Sequence, residues 1–227
     1  MNKVPKLLHI DTTSEIAMIG LSIQDQIIAQ VTNQASQQHA SFVQTSIESI
    51  CKEHSFDLNQ LDGIVVTLGP GSYTGMRVGL ASAKGIAYAL DKPLIGLSSL
   101  ALIAKAANKK IDQSGSNYSL FSMIDARRME VYSAIFDKSY SKIKGVQAEI
   151  LRENSYADST ETFYFIGDCQ EKCKTVLTAA NFHFLPEIVF PSANEMSALS
   201  YEKFINNDFE DVAYFEPFYL KDFLITK

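Results

Sequence analysis

A glycine-rich segment holds the residues of this chain that could most readily bind phosphate. Residues 69–79 read Gly-Pro-Gly-Ser-Tyr-Thr-Gly-Met-Arg-Val-Gly and follow the apolar run Ile64–Val66. Backbone amides approach a phosphate only where no Cβ atom obstructs them, so closely spaced glycines could form a phosphate cradle. Small residues continue to Leu90, and a helix built from such residues also lets another backbone come close. The segment therefore predicts a strand, a tight turn and a helix that serves either phosphate binding or docking.

The spacing of this segment differs from that of a nucleotide-binding P-loop. That motif is G-x-x-x-x-G-K-[ST], in which the lysine neutralises phosphate, whereas Met76 and Arg77 follow Gly75 here. Arg77 could still meet an anion from the first turn of the helix, but a salt bridge to a nearby carboxylate is favoured. We interpret the segment as a structural turn followed by a docking helix.

Other residue types that perform catalysis lack the required spacing. The histidines show neither H-x-x-x-H nor H-E-x-x-H spacing, and there is no G-x-S-x-G elbow. Cys169 and Cys173 are one helical turn apart without a second pair at metal-ligand spacing, which is typical of ordinary helix packing. His9 falls in an apolar run and is predicted to be a hydrogen-bonded core residue. We expect no catalytic residue, no metal and no bound cofactor in this chain.

Composition and charge limit the classes of partner. The 227 residues suffice for one large or two small domains. Twenty Lys and Arg against 26 Asp and Glu give a net charge of −6, which is unfavourable for binding nucleic acid without help from a partner. Apolar runs are too short to span a membrane, and the three cysteines are sparse. The sequence predicts a cytoplasmic protein with reduced thiols and no membrane association.

Hydrophobic periodicity predicts two successive units with the element order βββαβαβα, the second less clearly than the first. In the first unit we predict strands at 6–10, 17–23, 27–32, 63–67 and 94–96, and helices at 39–53, 75–90 and 98–108. In the second we predict strands at 119–124, 131–136, 144–151 and 163–166, a short apolar segment at 188–190, and helices at 168–179 and 193–204. The polar stretch 108–117 separates them. We therefore expect an N-terminal subdomain at 1–110 and a smaller C-terminal subdomain at 111–227. The last helix of the C-terminal subdomain is expected to pack back on the N-terminal subdomain.

This element order is the layout of the actin, sugar-kinase and chaperone-ATPase superfamily. Three strands joined by tight hairpins pair antiparallel, and the helix-linked strands add in parallel, which gives a mixed five-stranded sheet. We predict an α/β protein with the actin-like ATPase (ASKHA) fold, built from two RNase H-like subdomains. A Rossmann-type sheet is disfavoured because the chain opens with hairpins rather than with a strand-glycine-helix unit.

The hairpin turns at which this superfamily binds ATP phosphates are poorly suited to nucleotide in this chain. The first turn, residues 11–14, has small hydroxyl side chains and could serve. The second turn, residues 125–130, contains no glycine, and a single glycine, Gly167, stands where an adenosine-binding turn would carry two. The pattern argues against an independent ATPase.

The small residues of the helix at 75–90 lie along two stripes. Gly75, Gly79 and Ala83 form one stripe, and Ala81, Gly85 and Ala89 form the other. Such a helix must be covered on both sides, so we predict that one side packs on its own sheet while the other, with the helix at 39–53, forms a four-helix interface with a partner. The predicted interface residues are His39, Val43, Ile47, Ile50, Gly75, Met76, Gly79, Ala83 and Tyr88. The alternative is that both sides are covered by the chain itself.

Five segments of the chain together resemble the TsaB/YeaZ family, also described as glycoprotease homologues. They are Ile10–Ser14, Gly69–Gly79, Lys92–Ser98, Ile124–Tyr132 and Pro217–Lys221. The resemblance implies that Asp11, Gly69, Gly71, Arg77, Asp125, Arg127 and Glu130 are structural motif residues. One departure precedes the first helix, where Gln37-Gln38-His39 replaces the Arg-x-His that family members often carry.

The resemblance implies a scaffold and activator of TsaD, the subunit that transfers threonylcarbamoyl to the adenosine next to the tRNA anticodon. It implies a heterodimer with TsaD, a role for TsaE, a homodimer when TsaD is absent, and contact with tRNA only through the complex. It also implies that this subunit is not itself an enzyme. The alternative from another class is an ATP-dependent small-molecule kinase or ATPase of the same fold. A metalloprotease is suggested by the older family description alone.

Overall fold

The computed structural model describes residues 4–33, 39–111, 117–188, 190 and 192–220. These residues form two compact units: unit 1 comprises the described residues of 1–99 and 192–218, and unit 2 those of 100–191 and 219–227. The division therefore falls near residue 100 rather than at 110. Parts of four sequence features lie outside the described residues, namely the polar stretch at 112–116, Gln37 with Gln38, Val189, and Lys221.

Unit 1 contains a mixed five-stranded sheet in the order β3-β2-β1-β4-β5. Its strands are β1 (Lys6–Asp11), β2 (Ala17–Ile23), β3 (Gln26–Asn33), β4 (Gly63–Gly69) and β5 (Leu94–Ser98). The hairpin-linked strands pair antiparallel, whereas β4 pairs in parallel with both β1 and β5. This arrangement confirms the mixed sheet that was predicted from the hairpins and crossovers.

Helices cover the sheet of unit 1. The helices α1 (His39–Glu53) and α2 (Tyr73–Leu90) pack over a core that includes Ile10, Ile19 and Val66. The unit also contains a 3-10 turn at Leu58–Gln60 and the helix α5 (Ala193–Ile205), which contacts β1, β3 and β5. α5 begins at a capping box in which the Ser192 hydroxyl accepts from Asn194 N, while the Glu195 carboxylate accepts from Ser192 N at 3.0 Å. As expected, the last helix packs back on the N-terminal sheet.

Unit 2 contains a second five-stranded sheet, in the order β10-β9-β6-β7-β8. Its elements are α3 (Ser99–Asn108), β6 (Tyr118–Asp125), β7 (Glu130–Asp137), β8 (Lys142–Ile150), β9 (Thr162–Gly167), α4 (Gln170–Lys174) and β10 (Phe182–Phe184). One apolar cluster joins α3 to the sheet through Leu100, Ile103 and Leu120. A second, aromatic-rich cluster packs Phe121 and Phe165 against α4. In each sheet the first strand of the unit lies at the centre, so both repeat one strand order.

Unit 2 departs from the predicted element order in three places. Residues 151–161 form turns rather than a helix between the third and fourth strands, and α4 is much shorter than predicted. The fifth strand is β10, which the sequence did not indicate. The Ile188 side chain packs in the α3 cluster and its carbonyl accepts from Gly167 N at 3.0 Å, so Ile188 closes the turn after β9.

Candidate functional site

The glycine-rich segment forms the connection between β4 and α2, and it is packed tightly by its own chain. Gly69 has a φ of +102°, a left-handed conformation that favours glycine. A Cβ on Gly71 would overlap the carbonyl of Thr13, and Ser72 N donates to that same carbonyl at 2.7 Å. The Ser72 hydroxyl accepts from Gly75 N and begins α2. The segment thus seats the start of α2 on the β1–β2 turn.

One small-residue stripe of α2 faces the sheet of unit 1. A Cβ on Gly75 would overlap the Thr12 carbonyl, and a Cβ on Gly79 would lie 2.5 Å from Thr12 Oγ1 and 3.6 Å from the Ile10 side chain. Thr12 Oγ1 donates to Gly75 O at 2.7 Å, and Ala83 is fully buried. The close backbone approach that the glycines permit is therefore made within unit 1.

This packing corrects most of the predicted interface residues. The side chains or Cα atoms that face the core of unit 1 are those of Val43, Ile47, Ile50, Gly75, Met76, Gly79 and Ala83. Tyr88 is 84% exposed, and the His39 side chain lies outside the described part of the structure. Hydrophobic periodicity predicts that one face of a helix is buried, but not which part of the protein buries it. Here the sheet of unit 1 buries the face that was predicted to meet a partner.

The opposite face of α2 is exposed, and most of its residues are small. This outer face consists of Arg77, Ala81, Gly85, Tyr88 and Ala89. A Cβ added to Gly85 would meet no atom of the described residues within 4 Å. The sequence had indicated its small residues as the second stripe of the helix.

Neighbouring groups frame the outer face of α2. The Arg77 guanidinium lies 4.0 Å from the centroid of the Tyr73 ring and donates to the Tyr73 hydroxyl. The adjacent helix α1 presents the exposed polar residues Gln44, Thr45 and Glu48. The exposed residues of the two helices are thus small residues, one tyrosine that is 84% exposed, and mixed polar groups.

The first hairpin turn is held by side chains of unit 1. Asp11 is buried, and its Oδ1 accepts from Thr13 N at 2.9 Å and from Thr13 Oγ1 at 2.7 Å. His9, on the same strand, is fully buried with its Nε2 2.8 Å from Ser22 Oγ. Burial lowers the pKa of His9 to about 3, so the ring is neutral at physiological pH. The position of His9 in the core is as predicted.

The second hairpin turn, between β6 and β7, is held by a lysine that the sequence did not indicate. Lys172 Nζ donates to Asp125 Oδ1 at 2.8 Å, to Arg128 O at 2.8 Å and to Glu130 O at 2.9 Å. Asp125 Oδ1 also accepts from Arg127 N at 2.6 Å. Partial burial of Asp125 works to raise its pKa, but the hydrogen bonds from Lys172 and Arg127 hold it below its ordinary value. Because Lys172 lies on α4, far away in sequence, only the fold brings it to the turn.

The backbone of this second turn is strained. Arg127 and Arg128 have φ angles of +74° and +50°, which non-glycine residues rarely adopt and which cost about 1 kcal/mol or more each. Asp125 N donates to Asp168 Oδ1 at 2.8 Å and fixes the end of β6. The resemblance motif residues Asp125, Arg127 and Glu130 thus belong to one clamped turn.

Neither a metal-binding cluster nor a membrane-spanning helix is found among the described residues. They contain no group of three or more His, Cys, Asp or Glu side chains placed to hold a metal ion. None of their helices is both long and apolar enough to cross a membrane.

Comparison with known proteins gives consistent matches. Residues 23–214 match the family model described as "TsaD: tRNA N6-adenosine threonylcarbamoyltransferase". The chain is 34% identical over 131 residues to the tRNA threonylcarbamoyladenosine biosynthesis protein TsaB of Bacillus subtilis. This match covers 57% of this chain and 54% of that relative, which is about half of its length. It is 26% identical over 231 residues to the TsaB of Escherichia coli, covering 96% and 95% of the two chains.

A solved structure shows the same fold. YeaZ from Pseudomonas aeruginosa superposes with a TM-score of 0.79 at 20% identity, covering 95% of this chain and 100% of that one. The two equally ordered five-stranded sheets and this similarity confirm the predicted actin-like α/β fold class.

Proposed function

Because the chain belongs to the family described as tRNA N6-adenosine threonylcarbamoyltransferase TsaD, among its TsaB/YeaZ members, we propose that it is a non-catalytic scaffold and activator of TsaD. In this role it binds TsaD for transfer of threonylcarbamoyl to the adenosine adjacent to the tRNA anticodon. TsaE joins the complex, and tRNA is reached through the complex rather than by this chain alone.

The observation that carries the proposal is the exposed outer face of α2. Helices pack at interaxial distances of 8–10 Å, and the distance depends on the side chains at the contact. Ala81, Gly85 and Ala89 add little bulk, so a partner helix can approach closely. Gly within a helix costs about 1 kcal/mol relative to Ala, and no neighbour of Gly85 among the described residues offsets that cost. A partner helix seated over Gly85 offsets it.

The kind of partner follows from the family. The family model that this chain matches is named for TsaD, so we expect TsaD to carry a helix pair equivalent to α1 and α2. Two related helix pairs facing one another form a four-helix contact about a pseudo-two-fold axis. Tyr88, at 84% exposed, is of the residue type that commonly anchors such contacts. When TsaD is absent, a second copy of this chain can occupy the same surface.

The non-catalytic role is supported by what the polar residues of the two turns do. Asp11 binds Thr13 within its own turn, and Asp125 binds Lys172. These carboxylates stabilise the hairpins on which they lie. The histidine nearest the first turn, His9, is fully buried and bound to Ser22.

The test is complex formation with TsaD by a Gly85→Leu variant. A Cβ at this exposed position meets no atom of the described residues within 4 Å, and leucine is a better helix former than glycine, so we expect the variant to fold normally. We expect the wild type and TsaD to give the summed mass by light scattering, and the Gly85→Leu variant to bind at least about tenfold more weakly, since bulk at a close helix contact costs more than about 1.4 kcal/mol.

The matched control is Gly145→Leu on β8. Gly145 is also exposed, and a Cβ on it would likewise meet nothing within 4 Å. This variant is expected to bind TsaD as the wild type does. An unchanged mass on mixing the wild type with TsaD, or equal binding by both variants, would contradict the proposal.

A further inference from the structure

Two exposed arginines, Arg127 and Arg128, lie at the tip of the β6–β7 turn. Their backbone groups are engaged in the turn, but among the described residues neither guanidinium forms a hydrogen bond or an ion pair. Two neighbouring cations repel one another, and nothing in the packing of unit 2 requires either side chain.

The turn nevertheless holds both arginines in a fixed backbone conformation. Their left-handed φ angles persist because Lys172 binds three oxygens of the turn, at Asp125, Arg128 and Glu130. Strained backbone that is held by surrounding contacts is typical of ligand-binding turns, where it orients side chains before the ligand arrives. Here the side chains so oriented are the two arginines.

The local charge favours an anionic ligand. Asp125 lies in the same turn and would repel an anion, but its carboxylate is paired with Lys172 at 2.8 Å. Glu130 carries a further negative charge at the start of β7, whereas the two residues exposed at the tip itself, Arg127 and Arg128, are both cations. The planar fork of a guanidinium matches phosphate oxygens, and a ligand with repeated phosphates satisfies two adjacent arginines at once.

We propose that the Arg127–Arg128 turn is a contact site for the phosphate groups of the RNA backbone. RNA as the source of the phosphates rests on the proposed function, in which the complex with TsaD acts on tRNA. With a net charge of −6, this chain adds two phosphate contacts to a surface that its partner supplies, rather than binding RNA tightly alone. The contact is independent of base sequence.

The experiment measures binding of fluorescently labelled tRNA to the complex with TsaD, by anisotropy, between 50 and 200 mM salt. We expect Arg127→Gln/Arg128→Gln to weaken binding about tenfold at low salt. The slope of log affinity against log salt should become shallower by about 1.5, since each phosphate contact contributes about 0.7 to 0.9. The matched control, Lys110→Gln/Lys142→Gln, removes two exposed cations from elsewhere in unit 2 and should change affinity less than twofold.

Two separate measurements, of TsaD binding and of tRNA binding, distinguish a failure of the phosphate site from a failure of the proposed function. Light scattering of each variant with TsaD reports complex formation independently of RNA. If the double arginine variant binds tRNA with wild-type affinity and slope, the phosphate site is overturned. If it instead loses TsaD while its salt slope is unchanged, the arginines bind an acidic protein surface and the proposal is equally overturned.

A failure of the wild type to bind TsaD would contradict the proposed function but would still leave the site testable. In that case the chain alone is titrated with tRNA at 50 mM salt. Weaker binding by the arginine variant than by the lysine control supports the site, and equal binding overturns it.

Discussion

Gly75 and Gly85 lie on one helix yet have opposite surroundings. A Cβ on Gly75 would overlap a backbone carbonyl of the β1–β2 turn, whereas a Cβ on Gly85 would meet no atom within 4 Å. Gly75 is therefore required by the chain's own packing. Gly85 is not, and this contrast identifies which face of α2 is available to a partner.

We predict that Gly75→Ala and Gly85→Ala change stability in opposite directions. The first forces the Thr12 carbonyl to move and should lower the free energy of unfolding by about 1–3 kcal/mol. The second removes the helix cost of glycine and should raise it by about 1 kcal/mol. Urea denaturation of the two variants and the wild type measures both changes. Stabilisation by Gly75→Ala would show that α2 is not seated on the turn as described.

His9 makes stability depend on pH. Its pKa in the folded protein is lowered to about 3 from 6.5, so the unfolded chain binds a proton that the fold excludes. The stabilising contribution of the neutral ring is complete above pH 6.5 and is lost as pH falls towards 3, by about 1.4 kcal/mol per pH unit.

We therefore expect the wild type to lose about 2 kcal/mol more than a His9→Asn variant between pH 7 and pH 5. Asparagine keeps a polar group near Ser22 but does not titrate in this range. Urea denaturation at the two pH values measures the difference. An equal loss in both proteins would mean that His9 takes up its proton without unfolding.

At the scale of elements, the two hairpin turns differ in what fills them. The β1–β2 turn is packed by the start of α2, through Ser72 N on the Thr13 carbonyl. The β6–β7 turn has no glycine and is clamped by Lys172 from α4. A turn that cradles the phosphates of a nucleotide with its backbone amides must leave those amides open, without obstructing Cβ atoms, and neither turn is built in that way.

We predict that the isolated chain binds Mg-ATP too weakly to give a saturable calorimetric signal below about 1 mM, corresponding to a binding free energy weaker than about −4 kcal/mol. Titration of ATP into buffer provides the baseline. Micromolar binding would instead favour the kinase or ATPase interpretation. In that case the same titration would be repeated on a Lys172→Met variant. Weaker ATP binding by this variant would indicate that the second turn holds the nucleotide.

At the scale of the whole molecule, both units repeat one strand order but their helices are unequal. Unit 1 has three helices of 13 residues or more, whereas α3 and α4 of unit 2 have 10 and 5. α5 follows unit 2 in sequence but belongs to unit 1. The proposed docking surface and the proposed phosphate site accordingly lie on different units. Variants of Gly85 and of Arg127 with Arg128 are therefore expected to act separately, on protein binding and on RNA binding.

The sequence by itself determined the sheet and helices of unit 1, four of the five observed strands of unit 2 and the family. Strand periodicity, tight hairpins and the motif from Gly69 to Gly79 are local signals, and the elements they predicted in unit 1 are those observed. The capped start of α5 at Ser192 was readable for the same reason.

Only the tertiary structure decided which side of each helix is buried and by what. The stripe of Gly75, Gly79 and Ala83 has the same composition as an interface, and only the position of Thr12 shows that it packs inward. Lys172 is remote from Arg128 in sequence, so its clamp on the turn was invisible until the chain folded. Periodicity records burial along one helix, whereas contacts between distant segments depend on where the fold places each of them.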